Sequence, residues 1–127
     1  MRLLLDSHVL LWFAQDDSTL SSEVVRTIRE EASLAVVSVA SVWELEMKRV
    51  KGTLDVPADM GARLNPAGFD LLDVTLAHVV RAAELPAHHR DPFDRMLVAQ
   101  AQAEGLTLVT ADAALERYDV PLMSARA

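Results

Sequence analysis

The chain has 127 residues and no cysteine, and its 19 acidic against 12 basic side chains give a formal charge of -7. This length is enough to bury about two thirds of the unfolded surface, so we expect a single domain, residues 1–127, without covalent cross-links. The missing cysteines exclude disulfides, thiolate zinc sites and a cysteine nucleophile. The acidic balance argues against a broadly basic nucleic-acid surface, so any contact with nucleic acid must be local.

The N-terminal segment matches neither a signal peptide nor a membrane span. An early arginine precedes an apolar run, but Asp6 and His8 interrupt this run and no small-residue cleavage pattern follows. No uncharged apolar stretch approaches the roughly 18 residues that a membrane span requires. The sequence therefore predicts a soluble, cytoplasmic protein without membrane contacts.

The first half of the chain alternates short apolar runs with helical patterns. Residues 3–5 predict a strand, which is followed by apolar residues at helical spacing; a second helix is predicted over 21–31 and a second strand over 34–37. Ser38 can cap a third helix, which Gly52 ends. We expect the apolar stripe of this helix to pack mainly in the core: Val39, Val42, Trp43 and Met47.

The second half continues the alternation. A short helix is predicted over 58–64, a strand over 69–74 and a helix over 76–85 that Pro86 closes. The next helix runs from the Asp91-Pro92 pair to Glu104, before a strand over 106–110 and a short helix over 112–117. Alternating elements with continuously apolar strands predict an α/β fold, in which helices cover both faces of a mostly parallel sheet.

Four acidic residues are predicted to converge at one edge of this sheet. Asp6 and Asp112 directly follow strands, whereas Glu44 and Asp94 lie early in helices that should begin at the same edge. Parallel sheets bind ligands beyond the carboxyl ends of their strands. Carboxylates gathered there repel one another unless a cation lies among them, and oxygen ligands favour Mg²⁺ or Mn²⁺. Two such ions can hold an attacking water and a leaving oxygen in line at a phosphodiester.

Each acid also has a purely structural interpretation. Asp6 and Asp112 can cap the helices that follow them, and Thr110 competes with Asp112 for that position. Glu44 fits an S-x-x-E capping box with Ser41, unless its helix begins a turn earlier. Capping and metal ligation are compatible, because a cap fixes the backbone while the start of the helix faces the crevice.

The stretch "HRDPFDR" holds two aspartates three residues apart. Asp91 followed by Pro92 is a strong helix start, because the carboxylate accepts an orphan N–H and proline suits the first helical position. Asp94 then gains about 0.3–1 kcal/mol from the helix dipole. The two aspartates are thus expected to differ in role.

The remaining polar residues give weaker signals. The four histidines match no H-x-x-x-H metal spacing, and His8, near the predicted crevice, is expected to be packed or solvated rather than catalytic. Two basic clusters adjoin the acids and predict either ordinary helix solvation or contacts with phosphates. These clusters comprise Lys48, Arg49 and Lys51 in one helix and Arg90 and Arg95 beside the aspartate pair.

Three stretches, "LLLDSH", "AVVSVASVWELEMKRVKGTL" and "LPAHHRDPFDRMLVAQAQAEGLTLVTAD", give the chain a close resemblance to the PIN-domain ribonucleases and, among them, the VapC toxins. The resemblance implies a three-layer α/β/α sandwich, an endoribonuclease that uses one or two Mg²⁺ or Mn²⁺ ions, a cytoplasmic location, a homodimer and a VapB-like antitoxin. Matched by position, it implies that the catalytic metal ligands are Asp6, Glu44, Asp94 and Asp112. It also implies supporting roles for Ser7, Thr110 and the capping residue Asp91.

Two other functions fit parts of the sequence. A phosphoacceptor receiver domain has a similar length and an acidic Mg²⁺ pocket, but it needs a lysine at the end of a late strand, and the only lysines here are Lys48 and Lys51. A non-catalytic interaction module is the second alternative, with a surface built from apolar helix residues. That surface would draw on Trp12, Phe13, Trp43 and Met47.

Overall fold

The computed structural model describes residues 1–30 and 33–127, so the predicted end of the second helix at Glu31 lies outside the described residues. Five strands form one parallel sheet in the order β3-β2-β1-β4-β5. The strands are β1 (Arg2–Leu5), β2 (Leu34–Ser38), β3 (Asp70–Leu72), β4 (Thr107–Thr110) and β5 (Leu122–Ser124). The helices are α1 (Ser7–Ala14), α2 (Ser22–Arg29), α3 (Val39–Lys51), α4 (Met60–Leu64), α5 (Leu76–Glu84), α6 (Pro92–Glu104) and a 3-10 helix, Ala113–Arg117.

Successive residues of β1 enter opposite halves of the core. Leu3 and Leu5 pack in one apolar cluster with α1, α2 and α4, whereas Leu4 packs in the other with α6. All three leucines have no exposed surface. Because neighbouring side chains of a strand point to opposite faces, a strand that is apolar at every position requires helices on both sides of the sheet. The predicted three-layer α/β/α sandwich is confirmed.

The edges of the sheet differ most from the predictions. β3 is only Asp70–Leu72, shorter than the predicted strand over 69–74. β5 was not predicted at all, although Leu122–Ser124 pairs with the end of β4. Both are three-residue edge strands with partly exposed side chains, so their sequences lack the continuous apolar run that identifies the central strands.

The orientation of α3 corrects one prediction. Leu45 is buried, whereas Trp43 is 60% and Met47 42% exposed. Since residues four apart share a helix face, the core takes the face of Ser41 and Leu45, and Trp43 and Met47 lie on another. The Trp43 ring meets Phe93 instead, with 5.4 Å between ring centroids, beside a surface groove between helices.

The start of α3 settles the position of Glu44. The Ser38 hydroxyl oxygen accepts a hydrogen bond from the Ala40 N–H (3.1 Å), so the helix is capped there. The alternative capping box with Ser41 is wrong, because Glu44 is in the second turn.

Within residues 1–30 and 33–127, no helix is both long and apolar enough to cross a membrane.

Candidate metal centre

A cleft of about 460 Å³ opens beyond the carboxyl ends of β1 and β4, the two neighbouring strands at the centre of the sheet. All four predicted acids line it, as the parallel-sheet topology requires. The other lining residues are Ser7, His8, Trp12, Lys48, His89, Asp91, Ala111 and Arg126.

Asp6 lies deepest among the acids and is only 6% exposed. One of its carboxylate oxygens caps α1 by accepting the Val9 N–H at 2.9 Å. Burial raises the pKa of Asp6 above its ordinary value, and hydrogen bonds from Thr110 and Val9 only partly oppose this. The negative charge of Glu44 raises the pKa further, so the two carboxylates interact across the cleft.

Glu44 is held by groups on both sides. The Ser7 hydroxyl donates to Glu44 Oε1 at 2.8 Å, and Lys48 Nζ lies 3.3 Å from Glu44 Oε2. Ser7 is buried, and the Glu44 side chain is 12% exposed. These contacts fix the carboxylate in the cleft, and the supporting role that the family resemblance implies for Ser7 stays a prediction.

His89 joins two of the acids. Its Nε2 lies 2.8 Å from Asp94 Oδ2 and 3.1 Å from Asp112 Oδ2. One potential ligand atom from each of the three residues lies within 4.8 Å of the others. No sequence pattern pointed to this histidine, because the ring reaches the cleft from the loop before α6 and shares no helical spacing with the acids.

Asp94, in the first turn of α6, has a strongly raised pKa. Burial raises the pKa of Asp94 to about 6, and the charges of Asp91 and Asp6 add to the rise, against the hydrogen bond and the charge of His89. Burial by itself lowers the pKa of His89, but its hydrogen bond to Asp94 and the charges of Asp94, Asp112 and Asp91 outweigh burial and raise this pKa. The cleft therefore holds more negative charge than its surroundings stabilise.

Two further acids, like Asp6, cap helices with one oxygen, as predicted. Asp91 Oδ1 accepts the Phe93 N–H and Asp112 Oδ1 accepts the Ala114 N–H, both at 2.9 Å. Thr110 does not replace Asp112 as the cap but supports it, since its hydroxyl oxygen accepts the Asp112 N–H at 3.1 Å. The second oxygen of Asp112 faces His89, so capping and exposure to the cleft coexist in one side chain.

Of the five basic residues predicted to contact phosphates, only Lys48 lines the cleft. Arg49 pairs with Glu46 instead, with 2.6 Å between Nε and Oε2. Arg126 lines the cleft without having been predicted, with Cζ 5.3 Å from the centroid of the Trp12 ring. The four predicted basic residues that do not line the cleft are Arg49, Lys51, Arg90 and Arg95.

Arg95 contradicts the expectation of a phosphate contact. Its guanidinium donates to the carbonyl oxygens of Ala82 (2.8 Å), Leu85 (2.9 Å) and Pro86 (3.0 Å). It also lies 3.3 Å from the Tyr118 hydroxyl. The end of α5 leaves carbonyls without helical partners, and the planar guanidinium satisfies them, so its hydrogen-bonding capacity is used within the fold.

The donor set of the cleft fits a divalent cation. It combines carboxylate oxygens, which Mg²⁺ and Mn²⁺ prefer, with one imidazole nitrogen. Burial raises the pKa values of Asp6 and Asp94, which means that a positive charge nearby would stabilise their ionised forms.

Comparison with known proteins gives consistent matches. The family model of the PIN domain matches residues 3–121. Ribonuclease VapC22 of Mycobacterium tuberculosis is 28% identical over 123 residues, which cover 94% of this chain and 93% of that protein. The solved structure of VapBC2 from Rickettsia felis, bound to a DNA fragment from the promoter, superposes with a TM-score of 0.74 at 14% identity, over 98% and 99% of the two chains. VapBC-1 from nontypeable Haemophilus influenzae superposes with a TM-score of 0.70 at 15% identity, over 98% of each chain.

Proposed function

The chain belongs to the PIN-domain family, and we propose that it is a metal-dependent endoribonuclease that acts as the toxin of a toxin-antitoxin pair. One observation carries this proposal: Asp6, Glu44, Asp94 and Asp112, which come from four separate parts of the chain, line one cleft at the carboxyl edge of the sheet. The similarity to Ribonuclease VapC22 over nearly the whole chain supports RNA as the substrate.

The proposed cofactor is Mg²⁺ or Mn²⁺, with one or two ions in the cleft. Asp6, Asp94 and Asp112 would be the main ligands, since each presents a carboxylate to the cleft. A divalent cation would supply the positive charge that favours deprotonation of the attacking water and screens the phosphodiester. The four carboxylates alone would repel the phosphodiester, so substrate binding depends on this charge.

The side chains around the ligands would orient the reaction. Ser7 and Lys48 hold the two oxygens of Glu44, which leaves this carboxylate placed either to bind the cation or to accept a hydrogen bond from the attacking water. The water oxygen would bond to phosphorus and lose a proton to solvent, the bond from phosphorus to a ribose oxygen would break, and that oxygen would take up a proton from solvent. Lys48, the one of the five predicted basic residues that lines the cleft, would contact the phosphate.

The proposed partner is a VapB-like antitoxin that inserts a basic side chain among the carboxylates. Such a side chain would satisfy the same negative charges as the metal. Antitoxin and Mn²⁺ would then compete, and a titration of the complex with Mn²⁺ should release the antitoxin from the cleft. An antitoxin affinity that does not depend on Mn²⁺ would contradict this binding mode. The homodimer implied by the family resemblance stays a prediction.

The positions of the lysines do not fit a phosphoacceptor receiver domain. Both lysines lie in α3, and the strand that precedes Asp112 ends in Thr110. A lysine at the end of a late strand, which a receiver domain needs, is absent from the sequence.

Incubation of total RNA with the protein, followed by mapping of new 5′ ends, tests the proposed activity. We expect new ends with Mg²⁺ or Mn²⁺, none with EDTA, and none with Asp6→Asn. The Asp55→Asn variant is the matched control, because it removes the same charge from an exposed site outside the cleft and should cleave like the wild type. Equal cleavage by Asp6→Asn and the wild type would refute the proposed site.

A further inference from the structure

We propose that His89 is itself a ligand of the divalent cation, together with Asp94 and Asp112, and that this nitrogen gives the site a preference for Mn²⁺ over Mg²⁺. The inference rests on the proposed metal-dependent function and adds a residue to its site. The carboxylate ligands were suggested by sequence, whereas His89 emerges only from the geometry of the loop before α6.

Two separations between the ligand atoms match those found around a divalent cation. His89 Nε2 lies 2.8 Å from Asp94 Oδ2 and 3.1 Å from Asp112 Oδ2. Ligands at right angles around an ion, with bonds of about 2.1 Å, are about 3 Å apart. Since the three ligand atoms all lie within 4.8 Å of one another, an ion placed among them can contact each of them after the side chains adjust. The ion would take the place of the hydrogen between Nε2 and Oδ2, and the ring would keep one hydrogen on Nδ1, since ligating imidazoles are neutral.

Hydrogen bonds to residues outside the ligand cluster hold the backbone of His89. Its N–H donates to the Tyr118 hydroxyl oxygen at 3.1 Å, and that hydroxyl donates to the Pro86 carbonyl at 2.9 Å. Arg95 donates to the same Pro86 carbonyl at 3.0 Å and to the His89 carbonyl at 3.4 Å. These bonds fix the loop at both ends of the histidine, so the ring is positioned before any ion binds.

Other imidazoles do not have this arrangement. His8 lines the cleft but is exposed and pairs with the Trp12 ring, with 6.1 Å between centroids. His88 points to Tyr118, with 5.1 Å between ring centroids. His78 is buried elsewhere, against Glu104 and Gln100. His89 is thus the histidine whose nitrogen shares a ligand cluster with the acids.

The metal preference follows from the ligand types. Mg²⁺ strongly favours oxygen ligands and keeps much of its water, whereas affinity for nitrogen-containing sites increases across the transition metals. A site with one imidazole among carboxylates should thus gain more Mn²⁺ than Mg²⁺ affinity from that ligand. Replacing His89 with glutamine should lower Mn²⁺ affinity by about 10-fold or more and Mg²⁺ affinity much less.

Pulsed electron paramagnetic resonance of the Mn²⁺-loaded full chain tests the ligand directly. The wild type should show the hyperfine coupling of a bound imidazole nitrogen, which should change when the protein is labelled with ¹⁵N-histidine. The coupling should disappear in His89→Gln and persist in the matched cleft variant His8→Gln. If His89→Gln does not fold, the labelled wild type still shows whether a histidine nitrogen binds the Mn²⁺ ion.

Two results would overturn the proposal: no imidazole coupling in the wild type, or an unchanged coupling in His89→Gln. The RNA cleavage assay distinguishes a wrong assignment of the His89 ligand from a wrong assignment of the nuclease function. Mn²⁺-dependent RNA cleavage without nitrogen coupling refutes the His89 ligand and leaves the nuclease standing. Coupling without cleavage supports the ligand and refutes the nuclease.

Discussion

Asp94 and Arg95 are neighbours in the first turn of α6, yet they belong to two regions with opposite energetics. Asp94 faces the acidic cleft, where burial and nearby negative charge raise its pKa to about 6. Arg95 faces away and is surrounded by acceptors, including three carbonyls within 3.0 Å and the Tyr118 hydroxyl. The cleft holds charges that destabilise one another, whereas the network around Arg95 holds a charge that is satisfied.

Two neighbouring residues of one helical turn therefore differ in purpose, because Asp94 serves the proposed function and Arg95 serves the stability of the fold. Removal of a cleft acid relieves repulsion within the fold but removes a proposed metal ligand. Removal of Arg95 leaves the carbonyls of Ala82, which is buried, and Leu85, which is half-buried, without this donor, and it frees the loop that carries His89. The first change should abolish activity and spare the fold, and the second should weaken the fold first.

The largest effect is expected from Asp94→Asn. Loss of a ligand charge should lower kcat/KM for RNA by about 1,000-fold, as for other losses of electrostatic stabilisation in active sites. Thermal unfolding in EDTA should be unchanged or shifted upward, because the amide does not repel the neighbouring acids. If the variant lost activity because it unfolds at a lower temperature, this would contradict the claim that Asp94 serves function and not stability.

The next effect is expected from Arg95→Met. The substitution keeps much of the apolar stem but leaves the carbonyls of Ala82 and Leu85 without this donor, whereas Pro86 keeps the Tyr118 hydroxyl, so unfolding free energy should fall by about 2–3 kcal/mol. Arg49→Met is the matched control, since its surface pair with Glu46 should contribute under about 1 kcal/mol. Denaturant unfolding measures both, and equal losses in the two variants would contradict a special role for Arg95.

A smaller effect concerns pH. Because the pKa of Asp94 is raised to about 6, the folded chain keeps a proton there between pH 4 and 6 that the unfolded chain releases. Stability should therefore decrease as pH rises through this window, by about 1–2 kcal/mol after solvent screening. Denaturant unfolding in EDTA at pH 4, 5, 6 and 7 measures the slope. Asp94→Asn should reduce it and leave the part that comes from the raised pKa of Asp6, and the same slope in both proteins would exclude Asp94 as a cause.

The smallest effect is expected from Ser7→Ala. The variant removes the hydroxyl that donates to Glu44 Oε1 at 2.8 Å, which should cost about 1 kcal/mol of transition-state stabilisation, or about fivefold in kcat/KM. Unfolding temperature should change little, since the carboxylate keeps its contact with Lys48. Single-turnover RNA cleavage would detect the change. A loss as large as that of Asp94→Asn would place Ser7 among the reacting groups instead.

The sequence predicted the centre of the molecule better than its edges. β1, β2 and β4 have continuous apolar runs because both faces of the sheet are covered, and an acid after such a strand must lie at the carboxyl edge. β5 escaped prediction because a three-residue edge strand has no such run. Trp43 and Met47 were misplaced because several faces of α3 contain apolar residues, and only tertiary packing selects the one that is buried.

His89 shows why part of the site was beyond sequence reasoning. Its position depends on a loop conformation that Arg95 and Tyr118 set through hydrogen bonds, and Tyr118 is 29 residues further along the chain. No local spacing encodes that contact. The four acids were accessible because secondary structure alone brings them to one edge, whereas the histidine requires the folded loop.

The central claim is that the carboxylates of the cleft act together as one divalent cation site, and thermal unfolding with and without Mn²⁺ tests it most directly. At a Mn²⁺ concentration about 100 times Kd, the unfolding temperature of the wild type and of Asp55→Asn should rise by roughly 5–10 °C above that in EDTA. Asp94→Asn should begin at or above the wild-type value in EDTA and gain almost nothing from Mn²⁺. An equal Mn²⁺-induced rise in Asp94→Asn and the wild type would contradict a cation site in this cleft.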